Sequence, residues 1–156
     1  MTVTRLTLFF ALCALASGCD RKPEQRNPVQ PPFNTGLAMK DLMKHVVDPA
    51  ADIVWASSGT VVDQHGTTDL SPTTPEGWAN IENHSAMVAE TANLLMLPGR
   101  ARNDPTWDRF ALQLHDAAMA SMRAAENHDR AGLVRTGGDI YAACTQCHKR
   151  FVLGEK

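Results

Sequence analysis

From about residue 36 onward, apolar residues recur at spacings of three and four, and Pro75 and Pro105 stand where helices begin. That pattern leaves amphipathic helices as the building material and gives no alternating stretch that reads as a strand. The first segment runs from Gly36 to Ser58, with Leu37, Met39, Leu42, Met43, Val46, Val47, Ala50, Ile53 and Val54 on one face. Pro49 falls inside it and predicts a kink or division near Asp48, because proline lacks an N–H and its ring crowds the preceding turn. A polar loop, Asp63 to Ser71, leads to Thr73-Thr74-Pro75-Glu76, a capping-box pattern with proline in the first turn. The second helix places Trp78, Ile81, Ser85, Val88, Ala92 and Leu95 inward and stops at Leu97, before Pro98-Gly99. Asp104-Pro105 starts a third, with Trp107, Phe110, Leu114, Ala117, Ala118 and Met122 on its apolar side. Asn127 or His128 separates it from a fourth, which carries Leu133, Val134, Ile140, Tyr141, Cys144, Cys147 and Phe151. Gly132, Gly137 and Gly138 weaken that last helix by roughly 1 kcal/mol each relative to alanine, so packing or a cofactor must help hold it. Four such helices with short connections predict an all-α fold, an antiparallel four-helix bundle over residues 36–156.

What precedes the bundle reads as export and tethering. Arg5 followed by the apolar run Leu6 to Ala16 has a secretory layout and is too short to span a bilayer comfortably. Ala16-Ser17-Gly18-Cys19 resembles the lipobox of bacterial lipoproteins, which makes residues 1–18 a signal peptide and Cys19 the lipid acceptor. An ordinary cleavable signal with a chance cysteine is the plainer alternative. Asp20 after the cysteine looks like an inner-membrane retention signal. Residues 19–35 hold Pro23, Pro28, Pro31 and Pro32 among charged and amide side chains, a composition that stays extended and solvated. Together these predict a periplasmic protein held to the inner membrane by its lipid anchor only. A net charge of −2 gives no electrostatic case for nucleic acid.

Four cysteines are present, and Cys13 and Cys19 are accounted for by the leader. The remaining pair stands in Cys144-Thr145-Gln146-Cys147-His148, the attachment pattern of c-type haem. Helical spacing sets both thiols along one edge of a porphyrin, where they add to its vinyl groups, and His148 reaches the iron as the proximal ligand. The expected cofactor is one covalent haem c. Two other chemistries use such a pair. A thioredoxin-like redox couple belongs at a strand-to-helix junction, and no sheet is predicted. Zinc would need a fourth ligand from His45, His65, His84, His115 or His128, none of which shows paired ligand spacing.

With the motif near the C-terminus of a helical chain, the sequence resembles the cytochrome c prime family. Cys144 to His148 followed by Phe151 carries the resemblance best. Pro105-Thr106-Trp107 with Phe110 resembles the family's third-helix opening, and Pro49 after Met43 and His45 resembles its first helix. Two positions depart from the family. Val152 stands where an arginine often follows the haem histidine by four residues. No arginine lies early in the first helix to serve a propionate, although Lys40 or Lys44 could substitute. Both departures weaken any expectation of nitric oxide handling.

The resemblance implies that the first helix supplies whatever faces the iron opposite His148. Met43 is the first candidate for that distal position and Met39 the second, with core packing the plainer role for both. His45 sits off their face. His84 and His115, on amphipathic helices, read as surface residues, and Trp78 and Trp107 as core or haem-edge aromatics. No pair of carboxylates or Ser-His constellation converges, so the chain is not expected to be an enzyme. The resemblance therefore implies a single-electron carrier working with redox protein partners, and relatives suggest a homodimer. The alternative is a five-coordinate haem protein that binds small gases such as NO or CO. A weaker third possibility is a structural or sensory bundle in which haem is only a scaffold.

Overall fold

The computed structural model describes residues 33–154; the expected signal peptide, Cys19 and nearly all of the expected tether lie outside the described residues. The chain is mostly helical. A first helical stretch comprises α1 (Met39–Leu42), a π-helical turn (Met43–Val47) and α2 (Asp48–Ala56). It is followed by a hairpin of β1 (Thr60–Asp63) and β2 (Gly66–Asp69), then α3 (Pro75–Leu95), α4 (Pro105–Glu126) and α5 (Arg130–Phe151). Segment α2 packs against α3 and α5, and α4 packs against α3 and α5.

The break expected near Asp48 takes the form of a widened turn. Pro49 has no N–H to offer the His45 carbonyl. The chain answers by letting the Asp48 N–H bond back five residues to Met43 O, while the backbone stays helical on both sides. The first helix is also shorter than expected at its start, where Ala38 is still extended.

The later helix starts follow their caps. The Thr74 hydroxyl accepts from Gly77 N–H (3.1 Å), which puts Glu76 one place too early to complete a capping box. Asp104 accepts from Thr106 N–H (2.8 Å), and Asp129 accepts from Gly132 N–H (2.9 Å). The turn between α4 and α5 uses His128 in the left-handed region at φ 52°, its ring stacked on Trp78 at 4.8 Å. Gly137 lets α5 approach α2 closely. A Cβ there would stand 3.2 Å from Ser58 Oγ, and the glycine carbonyl accepts the Trp55 indole N–H at 3.0 Å.

The two strands are a correction to the expectation of none. Thr60, Val61, Val62, Thr67 and Thr68 have strand-forming side chains, and Asp63 accepts the His65 N–H (2.7 Å) to close the turn. Every residue of the hairpin is exposed, so it has no buried face to impose the alternation that marks a strand.

The core runs through Leu42, Val54, Ile81, Val88, Leu133 and Ile140, all buried. All six inward positions expected on α3 are buried, whereas Ala117 and Met122 on α4 are half-buried and Val134 and Tyr141 on α5 are exposed. Ser85 and Ser121 meet in the core at 2.9 Å, each satisfying the other's hydroxyl.

Candidate functional site

Helix α5 carries Cys144, Cys147 and His148 in its last two turns, and all three line a cavity of about 230 Å³. Its other walls are mainly apolar: Met43, Val47 and Ala51 from the first helical stretch, Leu95 from α3, and Trp107, Phe110 and Leu114 from α4. Exposed Tyr141 and His148 stand at its rim. The Trp107 indole N–H donates to Leu95 O (3.0 Å), tying the start of α4 to the end of α3 beside the cavity. Phe151 packs edge-on against the wall residue Trp107 with ring centroids 5.1 Å apart.

Both thiols are free. Burial pushes the Cys144 thiol up to about 11, and the neighbouring Cys147 thiol and Asp48 carboxylate act in the same direction. Burial raises Cys147 as well, against the opposing pull of the Arg102 guanidinium. The pair is therefore held protonated, which is unlike the depressed pKa of a redox-active thiol at a helix start. Both cysteines lie within the C-terminal half of a long helix and not at a strand-to-helix junction. Among the described residues no three His, Cys, Asp or Glu side chains gather as a metal-holding group, so the ligand set that zinc would need is not formed there.

The other residues singled out in the sequence separate clearly. Met43 lines the cavity; Met39 is half-buried against the core and does not. His45 is exposed, and His65 sits on the hairpin. His84 and His115 are half-buried rather than fully exposed, engaged with Asn80 O (2.7 Å) and the Asp116 carboxylate (3.2 Å), and neither lines the cavity. Trp107 is a wall residue, while Trp78 and His128 pack together away from it. Lys40 and Lys44 are both exposed on the first helical stretch.

Three cavity neighbours escape the sequence reading. Trp55 lines the site and meets Tyr141 edge-on at 6.2 Å. Asp48 lies beside Cys144; the proline after it is visible in the sequence, but the facing cysteine is not. Arg102 stands over both Trp107 (5.5 Å) and Phe151 (5.4 Å), a cation held on two aromatic faces. Its loop position offers no periodicity from which to infer that contact.

No protein-family model, no curated protein and no solved structure matches this chain.

Proposed function

We propose that the chain is a c-type cytochrome of the cytochrome c prime kind, a four-helix bundle that holds one covalent haem and carries single electrons. The observation behind this reading is the meeting of two free thiols and the following histidine on the wall of an apolar cavity, with Met43 contributed by a different element. The donor set fits the group. Its thiols are reduced and protonated, the form whose S–H adds across a vinyl C=C without any change of oxidation level. Bound haem would supply an iron that cycles between ferrous and ferric forms.

The chain's own residues set the conditions for that chemistry. His148 would hold the haem iron through its imidazole, and the aromatic pair Trp107 and Phe151 fixes the end of α5 that carries it. Val47, Ala51, Leu95 and Leu114 exclude water from the cavity. Met43 would offer its thioether to bound haem from the facing wall, and a thioether donor would raise the iron's potential. Around this domain the proposal includes export, a lipid on Cys19, attachment to the inner membrane from the periplasmic side, and redox proteins as partners.

The test is the visible spectrum of the reduced protein before and after CO, from cells that attach haem. Sharp low-spin bands unmoved by CO are expected, and Met43→Ala turns them high-spin. A broad spectrum that shifts with CO in the unaltered protein would replace electron transfer by gas binding. Absence of haem would remove both.

A further inference from the structure

One end of the molecule gathers residues 33–44, 96–108 and 147–154. The Arg100 guanidinium donates to Leu37 O (3.4 Å), Arg102 covers Trp107 and Phe151, and Arg150 pairs with Asp104 at 3.6 Å. These contacts bring the approach to α1, the loop from α3 to α4 and the end of α5 together. Four apolar side chains stand out from this end: Phe33 and Leu37 at 44% exposure, Val152 at 71% and Leu153 at 68%. The same three segments carry six basic side chains, Lys40, Lys44, Arg100, Arg102, Lys149 and Arg150, against three acidic ones, Asp41, Asp104 and Asp108. Over residues 45–95 and 109–146 the balance reverses, with eleven acidic side chains and four basic. The domain is therefore polar along its length in a way its net charge conceals.

The geometry points to this end as a membrane-facing surface that rests on anionic phospholipid headgroups. Aliphatic and aromatic side chains set among basic ones are what an interfacial surface presents to lipid. The acidic remainder is repelled by the same lipid, so charge selects the orientation as well as the attraction. The tether supports the assignment: Phe33 lies on this end, and only thirteen residues separate it from Cys19. Even fully extended, a chain of that length reaches no more than roughly 45 Å. A surface too weak to bind lipid from solution is then held at high effective concentration beside it. This inference rests on the lipid anchor in the function proposed above and does not depend on haem.

The experiment takes the mature full chain on vesicles of phosphatidylcholine alone and on vesicles that also contain phosphatidylglycerol, and measures amide hydrogen exchange. Exchange over residues 33–38 and 149–154 should slow several-fold on the anionic vesicles and recover in high salt. Residues 60–69, on the hairpin, should exchange equally on both. The triple variant Lys40→Gln, Lys44→Gln, Lys149→Gln should lose the difference, since each basic side chain near such a surface is worth roughly fivefold in lipid partition. Equal exchange on the two lipids would overturn the proposal. So would protection that grows with chain density on the vesicle, which would give the surface to a second copy. Pelleting in high salt reports the anchor separately. A chain that washes off there but still pellets with anionic vesicles at low salt keeps this surface and loses the anchor; one that pellets with neither loses both.

Discussion

The two halves of the helical core are packed on different principles. Toward the α4–α5 turn, Ala124, Ala125, Gly132, Leu133 and Thr136 let helices meet at close range, and Leu133 is fully buried. Toward the other end, Trp107, Phe110 and Leu114 surround a cavity of about 230 Å³ that no side chain of the core fills. Close packing is the default of a folded interior, and each missing methylene is felt. The chain packs one half tightly and leaves space in the other, with its paired thiols on the wall, and it is in this second half that the proposed haem would be held.

The sharpest way to break the contrast is at the thiols. The double variant Cys144→Ala, Cys147→Ala should drop the haem that survives denaturation from one per chain to none, as judged by a pyridine haemochrome assay; retention would sink the attachment claim. Next come two leucines. Leu133→Ala, in the packed half, should cost about 2–5 kcal/mol of stability in urea unfolding of the haem-free chain. Leu114→Ala only enlarges an existing space and should fall at or below about 2 kcal/mol, the bottom of that range. If the two cost the same, the halves do not differ in packing.

Thiol reactivity separates the regions by pH. Cys144 should resist alkylation in the folded haem-free chain at mildly alkaline pH and gain reactivity only as pH approaches about 11, read by mass spectrometry. The linked stability has a definite sign. Its folded value is raised above the ordinary 9.0, so the contribution is fully present below pH 9.0 and is lost as pH climbs toward about 11, where the unfolded chain ionises first. The smallest effect belongs to the packed half's border: Thr74→Ala removes the cap on Gly77 N–H and should cost about 1 kcal/mol with no change in any haem spectrum.

Much of this was legible in the sequence because it was written in local chemistry. Pro75 and Pro105, each behind a capping side chain, set the starts of α3 and α4, and a burial period near 3.6 picked out all six inward positions of α3. Cys144, Cys147 and His148 were found by spacing alone. What stayed hidden depends on contacts distant in sequence or on the absence of a buried face. The exposed hairpin carries no alternation, Arg102 acts through aromatics on two different helices, and Trp55 became a wall residue only when α2 met Gly137 of α5. Met43 and Met39 were indistinguishable by periodicity, and the widened turn that begins at Met43 is what a one-dimensional pattern cannot display.

That turn also gives the cavity wall around Met43 an unusual kind of adjustability. A π-helical turn amounts to one residue more than an α-helix would use over the same span. Deleting a single residue between Met43 and Val47 would restore ordinary α geometry, and because the wide turn absorbs the extra residue, the helix on either side would keep its register. Which side chains of the turn faced the cavity would then change, while α2 and its contact with α5 stayed in place. The character of the site opposite His148 is thus open to heritable change by length as well as by substitution, through a one-codon loss that spares the cysteines, the histidine and the packed half of the core.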